Sequence, residues 1–264
     1  MITSAGNDLI KLTGSLHHKK GRLEQNLYLA EGIHLVQEAL RSGVQIRRYF
    51  WTNKLVSTPE GQLLLKTLQT CHEGYEVSET VFDKISETEN PQGILAVITI
   101  PENPSLDLTA VKLGLIVDGL QDPGNVGTII RAAWAGGLEG LIFTPQTADP
   151  YQGKVVRASM GGVFSQKIYR NIPPQMIVER AGQSGVQIVA GDPAAGQNIF
   201  EIDLSRPTLF LVGNEGQGIH PIWKEFSLER GKIPQPGRAE SLNVALAAGI
   251  LIYEAVRQRY QAKY

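Results

Sequence analysis

Three polar, glycine-containing segments in the second half of the chain carry residue types suited to chemistry on a nucleotide-like ligand. The first reads DGLQDPGNVGTIIRAAWAGG. Asp118 closes an apolar run, Pro123, Gly124, Asn125 and Gly127 form a loop, and a helix follows from Thr128. A glycine-rich turn feeding a helix presents free backbone N–H groups, which suit a phosphate. Arg131 lies about one and a half turns into that helix. It either points back toward the loop or stands as an ordinary solvated arginine. The second segment, TLFLVGNEGQGI, ends an apolar strand with Gly213, Gly216 and Gly218 around Asn214 and Glu215. Glycines let backbone approach a ligand closely. Their order here is G-x-x-G-x-G, neither the dinucleotide-binding G-x-G-x-x-G nor a phosphate-loop G-K-[ST]. Glu215 either pairs with a cation, for which Arg131 is the candidate by type, or lies solvated in a plain connection. The third segment, KIPQPGRAESLNVALAAGILIYEAV, is stiffened by Pro234 and Pro236. It opens a long apolar helix at Glu240-Ser241-Leu242-Asn243, where Ser241 or Asn243 can serve simply as a cap.

The elements that must position these segments alternate. Strand candidates are LGLIVDG, GLIFTP, QIVAGD and TLFLVGN, and helices are predicted over 126–136, 153–161, 174–184 and 241–260. Strands separated by helices imply an α/β fold with a parallel sheet, whose ligands bind outside the carboxyl ends of the strands. In the first half, ITSAGNDLIKLTGSL and LAEGIHLVQEALRSG have helical spacing. Ile33, Val36, Ala39 and Leu40 share a face, and Gly43 sits where a C-cap glycine belongs. IRRYFWT and GILAVITI read as strands. Between the halves, IPENPSLDLTAVK carries Pro101 and Pro104 among polar residues and reads as a linker. The expected domains are therefore 1–104 and 105–264.

Bulk composition narrows the partners. Hydrophobic residues make up 42% and the formal charge is −1, so an RNA-binding surface has to be a local patch. Residues 1–50 hold seven Lys/Arg against four acids, and residues 51–104 hold three against eight. Lys11, Lys19, Lys20 and Arg22, with Arg47 and Arg48 nearby, form a candidate backbone-contacting patch beside His17 and His18, or else an ordinary solvated surface. The one cysteine, Cys71, permits no intrachain disulfide and builds no zinc motif with His72, so no metal site is expected. That usage fits a reduced, cytoplasmic compartment. No export signal is evident and no run approaches about 18 uninterrupted apolar residues, so no membrane insertion is expected.

Taken in order, D-P-G-N-V-G-T-I-I-R-A-A at 122–133, L-V-G-N-E-G-Q-G-I at 211–219 and I-P-Q-P-G-R-A-E-S-L-N-V-A-L-A-A at 233–248 resemble the SpoU (TrmH-type) family of RNA 2′-O-methyltransferases, within the SPOUT class. The resemblance spans roughly residues 113–258. L-A-E-G-I-H-L-V-Q-E-A-L at 29–40 and N-P-Q-G-I-L-A-V at 90–97 are similar to the small ribosomal-protein-like α/β domain that binds RNA substrate in members acting on ribosomal RNA. The resemblance implies a C-terminal trefoil knot, a homodimer and S-adenosylmethionine as cofactor. It carries the cofactor pocket to Ala190, Gly191, Asp192, Val212, Gly213, Glu215, Gly218, Ile233, Ser241, Leu242 and Asn243. The catalytic surface carries over to Asn125, Arg131, Glu215 and Ser241, with Arg131 also facing RNA. As a role for Arg131 the family suggests a base. A guanidinium stays protonated in proteins, so a clamp on the neighbouring phosphate is an equally physical role. The implied activity is methyl transfer to a ribose 2′-hydroxyl, most naturally in ribosomal RNA. Transfer RNA as substrate, a non-catalytic RNA-binding protein of the same fold and a nucleotide-dependent α/β enzyme are the alternatives.

Overall fold

The structure, a computed structural model, describes residues 1–214, 218–238 and 240–261. Its backbone forms two compact units. The first comprises Met1–Pro101 and Asp149–Phe164, and the second comprises Glu102–Ala148 and the chain from Ser165 onward. The units therefore do not follow a single cut near residue 104, because the chain returns to the first unit between Asp149 and Phe164.

The first unit contains α1 (Asp8–Ser15), α2 (Lys19–Gln25), β1 (Leu27–Glu31), α3 (Ile33–Arg41), β2 (Ile46–Trp51), α4 (Pro59–Gln69), β3 (Gly74–Glu76), α5 (Glu79–Phe82) and β4 (Ile94–Thr99). Its four strands lie in the order β1-β4-β2-β3. Strand β4 pairs antiparallel with both β1 and β2, and β3 runs parallel to β2. Residues 29–31, read from sequence as the start of a helix, belong instead to a fully buried strand. Gly32, at φ +102°, turns that strand into α3, a conformation that glycine adopts without strain. The side-chain carbonyl of Gln92 then accepts the Ile33 N–H at 2.8 Å, satisfying one free donor of the helix start. Ile10, Leu16, Leu29, Phe50, Phe82 and Leu95 centre one core on the sheet. Helix α7 (Gly153–Ala158) packs on β1 from the returning segment. It is shorter than the expected 153–161, since Met160 and Gly161 take positive φ.

Polar ties hold that segment within the unit. Arg22 is 3% exposed and donates to the Asp149 carboxylate at 2.7 and 2.9 Å and to the Leu16 and His17 carbonyls at 2.9 Å. Its assignment to an RNA-contacting patch is therefore corrected. The guanidinium is consumed by a buried pair and two carbonyls, and sequence spacing alone cannot distinguish it from its exposed lysine neighbours. Glu87 accepts from His17 and Arg157, each at 2.9 Å. The His17 hydrogen bond, followed by that from Arg157, outweighs burial and lowers the Glu87 carboxyl to about 2.

The second unit is an α/β layer structure. It contains β5 (Leu113–Val117), α6 (Pro123–Ala135), β6 (Gly140–Phe143), β7 (Ile168–Tyr169), α9 (Pro174–Ser184), β8 (Gln187–Gly191), β9 (Thr208–Val212), β10 (Glu229–Gly231) and α10 (Val244–Gln261), whereas the short α8 (Gly162–Ser165) begins within the returning segment of the first unit. Six strands lie in the order β10-β8-β9-β5-β6-β7, and every pairing is parallel. All five residues of both β5 and β9 are buried, as continuous apolar strands covered on both faces require. Strands β7 and β10 carry too little apolar alternation to be read from sequence. The chain builds outward from β5 through β6 to β7, then restarts at β8 beyond the opposite side. The order thus reverses between β5 and β9, the arrangement that opens a crevice at the strand carboxyl ends.

Candidate functional site

A cavity of about 460 Å³ opens at the carboxyl ends of β8, β9 and β10, within the size range of small-ligand sites. Ala190, Gly191 and Asp192 reach it from β8, and Val212, Gly213 and Asn214 from β9. Gly218, Ile219, Ile233, Gln235, Ser241 and Leu242 border it from the connections, and Val244, Ala247 and Leu251 from α10. Its walls also include Trp223, Lys224, Leu228 and Arg230. Segments from distant parts of the sequence thus converge because three neighbouring parallel strands end side by side.

Local structure explains the glycines. Asn214 and Gly218 exchange backbone hydrogen bonds of 2.9 and 2.7 Å beyond the end of β9. A Cβ on Gly213 would lie 2.4 Å from the Gly218 carbonyl oxygen, so this close backbone approach requires a glycine. Gly218 itself stands at φ +68°. A Cβ on Gly191 would touch the Leu251 side chain at 3.0 Å, the spacing that lets α10 lie close to β8. Asp192 accepts the Ala194 N–H at 2.8 Å and lies 3.3 Å from the Arg230 guanidinium, which places a carboxylate at the rim.

The loop after β5 is tied to the loop after β9 by Asp118, whose organising part the sequence reading missed. It is 5% exposed and accepts from the Thr144 hydroxyl at 2.8 Å and the His220 N–H at 3.0 Å. The Gly119 N–H donates to the hydroxyls of Thr144 and Thr147, both at 3.1 Å, and Asn214 donates to the Gly119 carbonyl at 3.3 Å. The available signal was a carboxylate ending an apolar strand, which needs donors if it is to be buried.

Helix α6 starts at Pro123, earlier than its apolar periodicity suggests, because Asp122 caps it by accepting the Asn125 N–H at 2.8 Å. Proline at the first helical position loses no helical hydrogen bond. Helix α10 is capped by Asn243, whose side-chain oxygen accepts from Ala245 and Leu246 at 3.0 and 3.2 Å. Ser241 lies outside that cap and on the cavity wall. Asn243 also donates to the Asn125 side-chain oxygen at 3.0 Å, joining the first and third motifs beside a shallow depression that includes Thr128, Leu246 and Tyr253.

Ala190, Gly191, Asp192, Val212, Gly213, Gly218, Ile233, Ser241 and Leu242 therefore share one cavity, whereas Asn125 and Asn243 border the adjoining depression. Arg131 is exposed on α6, about two turns from its start, and lines neither. Glu215 lies outside the described residues. Lys11, Lys19 and Lys20 are exposed in the first unit. Lys11 and Lys20 lie 3.6 and 3.8 Å from the carboxylates of Asp8 and Glu24 in exposed helical pairs. No described helix is long and apolar enough to cross a membrane.

Comparison with known proteins adds to this geometry. Residues 112–253 match the SpoU rRNA methylase family and residues 7–96 match the MRM3-like substrate binding domain. The chain is 38% identical to an uncharacterized tRNA/rRNA methyltransferase of Synechocystis over 99% of its own length and 95% of the relative's. It is 36% identical to the 23S rRNA (guanosine(2553)-2′-O)-methyltransferase of Bacillus subtilis, covering 96% of the chain and 97% of that relative. Among solved structures, the SpoU methyltransferase AviRb of Streptomyces viridochromogenes in complex with the cofactor AdoMet superposes with a TM-score of 0.85 at 30% identity, covering 97% of this chain and 100% of that one.

Proposed function

The chain belongs to the SpoU rRNA methylase family, and on that premise we propose that it transfers the methyl group of S-adenosylmethionine to a ribose 2′-hydroxyl of ribosomal RNA. In this reading the cofactor sits in the cavity at the ends of β8, β9 and β10. One observation carries it: a nucleoside-sized cavity bordered jointly by the β8 end, the loop after β9 and the segment 233–242. The residues present fit such a ligand. Ile219, Ile233, Leu242 and Leu251 offer apolar walls to a purine, and the Asp192 carboxylate at the rim can accept from ribose hydroxyls. Gly213 and Gly218 let backbone come close.

When bound, the cofactor supplies a methyl group on a cationic sulfur, already electrophilic. The protein's task is then chiefly to hold the acceptor oxygen in line. Asn125 and Ser241 position the acceptor ribose, and the Arg131 guanidinium clamps the neighbouring phosphate. Lys11, Lys19 and Lys20 contact the RNA backbone from the substrate-binding domain. The match of residues 7–96 and the substrate in the Bacillus subtilis relative's name favour ribosomal over transfer RNA.

The working form is a cytoplasmic homodimer with a knotted C-terminal domain. Support for the dimer comes from α6 and α10, which pack together yet leave Trp134, Leu246 and Tyr253 exposed, and Arg131 is exposed on α6 as well. A second copy seated there covers the apolar residues and brings Arg131 to a shared active site. Support for the knot comes from segments far apart in sequence packing about the same strand ends.

Transfer of labelled methyl to unmodified ribosomal and transfer RNA, with Arg131→Ala in parallel, tests the reaction. We expect label in ribosomal RNA as an alkali-resistant dinucleotide, lowered by about 100-fold or more in the variant. Label confined to transfer RNA, or none despite cofactor binding, would overturn the assigned substrate.

A further inference from the structure

Two residues that line the cavity each carry a buried polar atom with no hydrogen-bond partner among the described residues, the indole Nε1 of Trp223 and the side-chain Oε1 of Gln235. Trp223 is 1% exposed and its ring is held edge-on against Phe226, with centroids 6.2 Å apart and planes at 65°. Its N–H therefore has no access to bulk water. Gln235 sits between Pro234 and Pro236. Each proline drives the residue before it into an extended backbone, so side chains alternate along this stretch. Ile233 and Gln235 face the cavity while both prolines are exposed. The Gln235 amide is thus presented inward on a stiffened segment.

Buried polar groups are ordinarily paired, and a pair of orphans on the wall of one cavity implies a ligand that satisfies them. The two are of opposite kind: an indole N–H can only donate, and a carboxamide oxygen only accepts. Adenine matches this combination, because its edge sets an amino donor beside ring-nitrogen acceptors, and glutamine is a natural partner for that edge. Hypoxanthine or guanine would set a carbonyl oxygen against Oε1.

We propose that Gln235 and Trp223 read the base of the cofactor, Gln235 accepting from the adenine amino group and Trp223 donating to a ring nitrogen. This rests on the cavity being the cofactor site. Both are specificity-determining residues and take no part in the methyl transfer itself.

The test is calorimetric titration of the full-length protein with S-adenosylhomocysteine, which cannot react, and with its analogues carrying hypoxanthine or unsubstituted purine. The wild-type protein should prefer the adenine ligand by tenfold or more, roughly the effect of one unpaired polar group. Gln235→Leu should bring the adenine and purine ligands to within about threefold of each other, and Trp223→Phe should weaken both by about tenfold. Gln235→Leu keeps the inference testable if Trp223→Phe does not fold. Ala247→Phe, which fills the cavity from α10, separates the two layers of the argument. Loss of binding in Ala247→Phe, with the wild-type base preference intact in Gln235→Leu, would overturn the base-reading role alone. Undiminished binding in a folded Ala247→Phe protein would overturn the cavity assignment and the inference with it.

Discussion

Neighbouring cations in the first unit have opposite fates, and their substitutions should separate cleanly. Lys19 and Lys20 project into solvent three and two positions before Arg22, which is 3% exposed. Replacing Lys11, Lys19 and Lys20 by glutamine should leave stability within about 0.5 kcal/mol, as for most surface changes. The same change should flatten the salt dependence of RNA binding, read from binding isotherms at several ionic strengths. Arg22→Gln should instead cost about 3–5 kcal/mol, because it strands Asp149 and two backbone carbonyls; urea denaturation will show it. A stable Arg22→Gln protein that binds RNA weakly would reverse this reading. Glu87 supplies a pH signature. Its carboxyl is lowered from the usual 4.5 to about 2 in the folded state. The folded form therefore holds its proton less tightly than the unfolded chain. The resulting stabilisation is complete above about pH 4.5 and is lost as the pH falls toward 2. Glu87→Gln should remove that part of the acid slope in urea midpoints measured between pH 5 and 2.5.

At the scale of elements, strand ends and caps determine where the site residues stand. Asp122 and Asn243 cap the two helices that carry the first and third motifs. After β9 the backbone of Gly218 approaches Gly213 so closely that an added Cβ would fall 2.4 Å from its carbonyl oxygen. Backbone cannot yield as a flexible side chain can. Gly213→Ala should therefore abolish detectable binding of S-adenosylhomocysteine while the rest of the unit stays folded, as judged by circular dichroism and calorimetry. Wild-type affinity in that variant would show that this close approach relaxes without consequence.

For the whole molecule, the open question is what covers the outer face of α6 and α10. Leu246 and Tyr253 are 55% and 52% exposed on α10, and Trp134 is 38% exposed on α6, while the opposite sides of both helices are deeply buried. Contiguous apolar side chains at a surface mark an interaction site more often than chance. Leu246→Glu combined with Tyr253→Glu should give a monomer by sedimentation equilibrium and lower methyl transfer at least 100-fold, with the fold intact by circular dichroism. A fully active monomer would dismiss the shared active site.

The parallel α/β character of the second half and the family of the chain were legible in the amino-acid sequence. Each of these is written in short-range patterns, such as apolar runs, glycine-rich strand ends and motif spacing. The sequence also held the helical face of α3, though strand β1 was hidden in the same apolar stretch until Gly32 was seen to break it. Which polar residues are buried, and with whom, is visible in the packed chain alone. Arg22 and Asp149 lie 127 positions apart, and Asn243 and Asn125 118 apart. Side-chain type at one position carries no information about so distant a partner. The choice between Ser241 and Asn243 as cap, the organising role of Asp118 and the orphaned groups of Trp223 and Gln235 were settled the same way. Burial and hydrogen-bond partnership belong to the packed chain, where strands distant in sequence end side by side.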